Sequence, residues 1–125
     1  DNFRPKESSI YPQILLKSRK VLKTVLERAG HNPIVASSPI EALALARDHK
    51  GGIDLLLTDV VMPQMNGKEL AERIQVLHPN VKIIYMSGYT ENTIVHRGVL
   101  DDDINFIPKP LTPDQMLLMI AKVLA

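Results

Sequence analysis

The chain has 125 residues, 45% hydrophobic and 23% charged, a balance that suits one globular domain with one core and is too short for two. It contains no cysteine, which excludes a disulfide framework, a thiolate nucleophile and a Cys-based zinc site. A net charge of +1 from 15 basic and 14 acidic side chains gives no global attraction to nucleic acid or to an anionic membrane. The longest apolar run, Ile53 to Val61, is interrupted by Asp54, Thr58 and Asp59 and falls far below the roughly 20 residues of a membrane helix. With no basic-then-apolar leader, the cytoplasm is the default location, while a start at Asp1 rather than Met leaves open a longer parent chain.

Residues 1–9 are polar, carry Pro5 and show no period, so they read as a linker or tail, and residues 10–125 as the domain. Leu15, Leu16, Val21, Leu22, Val25, Leu26 and Ala29 form one helical stripe that Gly30 terminates. Among the first 30 residues Arg4, Lys6, Lys17, Arg19, Lys20, Lys23 and Arg28 face only Asp1, Glu7 and Glu27, which reads as a solvated basic helix face or, in the sharper reading, a docking face. A β-prone run, Pro33 to Ala36, precedes Ser38-Pro39-Ile40-Glu41, a capping box with Pro at the first helical position, and a second helix to about Asp48. Gly51-Gly52 breaks the chain before Ile53 to Thr58, whose nearly continuous apolarity suits a strand covered on both faces. Asn66 and Glu69 start a third helix with Leu70, Ile74 and Leu77 as its buried stripe and Pro79 beyond its end. Strand Val81 to Met86, a weaker helix from Thr90 to about Gly98, an acidic loop at Asp101 to Asp103 and a short strand, Ile104 to Ile107, follow. Thr112-Pro113-Asp114-Gln115 caps the last helix.

Strands alternating with helices imply right-handed crossovers and a doubly wound parallel sheet, an α/β fold. In such sheets ligands bind beyond the carboxyl ends of the strands. Three groups fall there: Asp59, Ser87 and Lys109. Neighbouring strands lie about 4.8 Å apart, so a carboxylate, a hydroxyl and an ammonium on successive strand ends converge on one small anion, and a phosphoryl group fits best. The carboxylate attacks phosphorus to form an acyl phosphate, while Ser87 and Lys109 hold the equatorial oxygens. Each residue alone has an ordinary explanation as a helix cap, a turn or a solvated charge; together they favour chemistry. His31, His49, His78 and His96 show no metal-ligand spacing and read as surface residues.

The segments Leu55 to Gly67, with Thr58-Asp59-Val60-Val61-Met62-Pro63 and Asn66-Gly67, then Met86-Ser87-Gly88-Tyr89 and Phe106-Ile107-Pro108-Lys109-Pro110, resemble the receiver domain of two-component response regulators. The likeness runs from about Val21 to Ala125, and its segments Met86-Ser87-Gly88-Tyr89-Thr90 and Lys109-Pro110-Leu111-Thr112 look like those of receivers that terminate hybrid histidine kinases. The resemblance implies a flavodoxin-like fold, sheet order 2-1-3-4-5, and phosphotransfer from a histidine kinase or histidine phosphotransfer domain. It makes Asp59 the phosphoacceptor, Ser87 the switch hydroxyl, Lys109 the counter-ion and Phe106 the rotating aromatic. It also implies a Mg²⁺ ligand in the Val61 backbone carbonyl beside Asp59, a cis peptide between Lys109 and Pro110, and Gly67 at a tight approach to the third helix. The switching face would be formed by the helix at 90–98, the fifth strand and the last helix.

The chain departs from the family in one segment. Receivers end their first strand with two adjacent acidic residues, whereas here, aligned without gaps, the pair falls on Gln13-Ile14, or, if Ile14-Leu15-Leu16 is the strand, Lys17-Ser18-Arg19 takes the place of the loop after it; either way no Asp or Glu lies between Ser8 and Glu27. Mg²⁺ binding is therefore expected to be weak or absent, because Asp59 is left as the assured side-chain carboxylate. Lys17 or Arg19 in the place of the metal would make the site metal-independent. The first strand itself is ambiguous between Ser9–Tyr11 and Ile14–Leu16, since Pro12 withholds an amide donor, and a weak first strand admits completion by a second copy in a homodimer. Two other functions compete: the same fold as a phosphorylation-independent interaction module, a pseudo-receiver, and a small phosphatase with Asp59 as nucleophile, which lacks a second carboxylate as general acid.

Overall fold

The computed structural model describes residues 9–11, 19–49, 52–60, 62, 65–87, 105–108 and 112–124. Five parallel strands, β1 (Ser9–Tyr11), β2 (Pro33–Val35), β3 (Leu55–Asp59), β4 (Lys82–Ser87) and β5 (Phe106–Pro108), form one sheet in the order β2-β1-β3-β4-β5. This is the flavodoxin-like order expected. The described helices are α1 (Arg19–Arg28), α2 (Pro39–Asp48), α3 (Gly67–Leu77) and α4 (Pro113–Leu124). The helix expected at 90–98 and the acidic loop after it lie outside the described residues.

The sheet resolves the ambiguity of the first strand. Ser9–Tyr11 is central, with Ile10 opposite Ile34 of β2 on one side and Leu56 of β3 on the other. It stops before Pro12, which has no N–H to give a neighbouring strand. Ser9, read from sequence as the last residue of a tail, therefore belongs to the sheet. Ile14 to Leu16 lie outside the described residues, and the first helix begins at Arg19. Elsewhere the strands end where pairing ends rather than where apolarity does: β3 takes in Asp59, β4 takes in Ser87, and β5 begins at Phe106.

Alternation along β3 and β4 divides the interior into two layers. Leu56, Ile83, Tyr85 and Phe106 pack with Ala42 and Ala46 of α2 and Leu70, Ala71 and Ile74 of α3. Leu55, Leu57, Ile84, Met86 and Ile107 face the opposite way, against Leu26 of α1 and Met116 and Ile120 of α4. β3 is thus buried on both faces, as its apolar run requires.

The helix ends follow local chemistry. Gly30 takes φ 92°, and the amides of Gly30 and His31 donate to the carbonyls of Glu27 and Leu26, a Schellman closure of α1. Thr112 and Gln115 exchange reciprocal bonds of 3.1 Å, a complete capping box for α4. At α2 only half of the expected box forms. The Glu41 amide donates to Ser38 Oγ at 3.0 Å, but the Glu41 carboxylate reaches back to the amide and hydroxyl of Ser37. The Asn66 side chain accepts from the Glu69 amide at 2.8 Å and so fixes where α3 begins. His78, read from sequence as a surface residue, is half-buried, its Nε2 2.8 Å from the Ala46 carbonyl, which ties the ends of α2 and α3 together.

Candidate functional site

Three leucines and Thr58 precede Asp59 on β3, all without solvent exposure, and Asp59 itself is half-buried at the strand's carboxyl end. A polar group placed after so apolar a strand emerges at the rim where open parallel sheets bind ligands. The ladder continues one residue past the strand, with the Val60 amide donating to the Met86 carbonyl at 3.0 Å. Asp59 is level with Met86, so Ser87 stands one residue further along the adjacent strand and level with Pro108 of β5. The carboxylate and the hydroxyl therefore share one rim.

Ser87 is 5% exposed and Thr58 fully covered; among the described residues these are the buried side chains of polar type. Phe106 lies opposite Tyr85 across β4 and β5, buried in the layer that α2 and α3 cover. It also lines a groove of about 340 Å³ with Pro108 of β5 and Leu118, Met119 and Lys122 of α4. Lys109, Pro110 and Val61 lie outside the described residues, so the counter-ion, the cis peptide and the carbonyl ligand expected from sequence have no geometry to report.

The turn after Asp59 is tightly built. Met62 and Met65 are buried in the core beneath it. Gly67 opens α3 so close to β3 that its amide donates to the Val60 carbonyl at 2.7 Å. A β-carbon on Gly67 would lie 2.1 Å from the Asp59 carbonyl oxygen, a separation that real side chains do not adopt. Sequence reading anticipated a tight approach here without its target. It gave Thr58 no role, because one hydroxyl in an apolar run signals only that the run is ending; its position immediately before a strand-end carboxylate was the available clue.

Receivers hold Mg²⁺ at an acidic site. Among the described residues no three His, Cys, Asp or Glu side chains gather to hold a metal ion. The sequence adds no carboxylate between Ser8 and Glu27. Mg²⁺ takes oxygen ligands and normally one or two carboxylates beside water and phosphate, so the described residues, among which Asp59 would be the candidate carboxylate at this rim, fit a dedicated site poorly.

The model of the response regulator receiver domain family matches residues 16–121, from just after β1 to near the end of α4. The sensor kinase CckA of Brucella abortus (strain 2308) is 32% identical over 99 residues, which cover 79% of this chain and 10% of that protein. The response regulator receiver protein CpdR of the same organism is 32% identical over 106 residues, covering 85% of this chain and 87% of CpdR. Among solved structures, the receiver domain of the hybrid histidine kinase CckA superposes with a TM-score of 0.79 at 24% identity, covering 95% of this chain and all of that one. The chain belongs to the response-regulator receiver family, the phosphoacceptor domain of two-component signalling, whose members work with histidine kinases or histidine phosphotransfer domains. Its matched part is a small fraction of CckA and most of CpdR. Among the described residues no helix is long and apolar enough to cross a membrane.

Proposed function

We propose that Asp59 receives the phosphoryl group in this chain. The observation that carries the reading is the half-buried Asp59 at the end of β3 with the buried Ser87 hydroxyl one residue further on the neighbouring strand. In the transfer, the N–P bond of a donor phosphohistidine breaks, its electron pair stays on the imidazole nitrogen, and a bond forms between an Asp59 carboxylate oxygen and phosphorus. Ser87 and Lys109 hold the equatorial oxygens, and positioning and charge neutralisation carry most of the rate. No step is routed through a metal, because the described residues fit one poorly. Phe106 then relays the state of the rim: it sits in register beside Tyr85 on β4 and lines the groove against α4, so a turn of its ring reshapes that face. The donor is a histidine kinase or histidine phosphotransfer domain.

A second reading, a receiver fold that works without phosphorylation, is favoured by one feature, the absence of any carboxylate between Ser8 and Glu27. Intact-protein mass after incubation with acetyl phosphate, with and without Mg²⁺, separates the two. An adduct of one phosphoryl group, lost in Asp59→Ala, is the expected result. A folded wild-type protein that takes no adduct under either condition would leave the second reading standing.

A further inference from the structure

We infer that Thr58 and Gly67 are positioning residues that clamp the peptide following Asp59 and thereby aim its carboxylate; this deepens the proposal that Asp59 is the phosphoacceptor and rests on it. Thr58 is fully buried, yet its hydroxyl is not idle: Oγ1 donates to the Asp59 carbonyl oxygen at 3.0 Å, with Met62 Sδ at 3.7 Å as a second acceptor. Covering a hydroxyl without a hydrogen-bond partner is costly, so the side chain holds the carbonyl it reaches. Gly67 presses on the same oxygen from the α3 side. The atoms that an added β-carbon would meet are the Asp59 carbonyl oxygen at 2.1 Å, the Asp59 carbonyl carbon at 3.1 Å and the Val60 α-carbon at 3.2 Å. All three are backbone and cannot swing aside as the end of a long side chain does.

Two amide bonds complete the clamp. Val60 donates to Met86 at 3.0 Å, fastening the peptide to β4, and Gly67 donates to the Val60 carbonyl, one peptide further on, at 2.7 Å, fastening the residue after Asp59 to the start of α3. The Asp59 carbonyl oxygen thus meets both the Thr58 hydroxyl and the bare α-carbon of Gly67. The carboxylate hangs from the same α-carbon as this carbonyl, so a tilt of the peptide re-aims the attacking oxygen. Misplacing a reacting group by about 1 Å can cost about a hundredfold in rate.

The experiment compares wild type with Thr58→Val, Thr58→Ser, Gly67→Ala and Gly52→Ala, the last at a glycine with nothing within 4 Å of an added β-carbon. Circular dichroism first fixes a temperature at which every variant is folded. Phosphorylation by acetyl phosphate is then followed by intact mass, and amide hydrogen exchange is followed at Val60 and Gly67. Thr58→Val and Gly67→Ala should each slow phosphorylation by about tenfold or more, while Thr58→Ser, which keeps the hydroxyl, and Gly52→Ala should not. The two amides should lose protection in the same two variants, with protection in α4 unchanged. Thr58→Ser slowed as much as Thr58→Val would mean that the methyl group's packing, not the hydroxyl, matters, and would overturn the role given to Thr58. Unchanged exchange at Val60 and Gly67 in Gly67→Ala would overturn the clamp whether or not the wild type is phosphorylated. Absence of a wild-type adduct with exchange changed as expected would instead remove the phosphoacceptor reading and leave the clamp in place.

Discussion

Ser87 and Thr58 pose the same physical question, why a hydroxyl is kept away from water, and answer it differently. The Thr58 hydroxyl is engaged with the Asp59 carbonyl, and Ser87, one residue beyond the level of Asp59 on the next strand, is the donor proposed for an incoming phosphoryl oxygen. Ser87→Ala is expected to slow acetyl phosphate labelling by about a hundredfold, the scale seen when one donor to a charged transition state is removed. Its unfolding free energy should change by only about 1 kcal/mol. Labelling at the wild-type rate in a stopped time course would show that the Ser87 hydroxyl holds no phosphoryl oxygen. Leu57, without solvent exposure in the middle of β3, behaves in the opposite way: Leu57→Ala should cost about 2–5 kcal/mol in urea unfolding through the cavity it leaves. Asp59 and Ser87 were legible in the sequence because each breaks an apolar run where a parallel strand ends. The clamp was not, because the contact between Gly67 and the Asp59 carbonyl spans a turn, and spacing alone does not say which atom a glycine must let pass.

The elements were most legible where their ends depend on short-range chemistry. Gly30, Ser38, Asn66 and Thr112 each mark a helix boundary in the sequence and each is found there. Local rules fail where a nearby competitor exists: the Glu41 carboxylate takes the Ser37 hydroxyl and amide, one residue before the partner a capping box assigns it. Gly30→Ala places a β-carbon at a φ of 92° and should destabilise by about 1–2 kcal/mol. Thr112→Ala removes one arm of the reciprocal cap and should cost about 1 kcal/mol. Both are read as shifts of the urea midpoint at unchanged slope; a Gly30→Ala midpoint equal to wild type would mean that the end of α1 does not need its left-handed residue. Strand β1 was the least legible element, since three residues carry no period and Pro12 argues against any longer strand.

At the scale of the whole molecule, the alternation of strands and helices foretold a doubly wound parallel sheet and the family resemblance its order, and the burial of both faces of β3 follows from that sheet. What the pattern did not settle is that the shortest stretch of pairing lies at the centre. Ile10 has a neighbouring strand on either side, so Ile10→Pro should remove a ladder donor and strain the strand at a cost of about 3 kcal/mol or more. Loss of cooperative unfolding in this variant is the expected reading; a wild-type midpoint would show that β2 and β3 hold together without the strand between them.

The order β2-β1-β3-β4-β5 also has a temporal meaning. A chain leaving the ribosome delivers β1, then the partner on one side, then the partner on the other, so a three-stranded nucleus with α1 and α2 can assemble before β4 has been made. The later strands then add one at a time to a single growing edge. The rim that carries Asp59 is the last part of that nucleus to emerge, and the strand that carries Ser87 docks beside it next. Each pairing joins segments close in the chain except the second, the return of β3 to β1, which bears the largest loop-closure cost and should set the pace of folding.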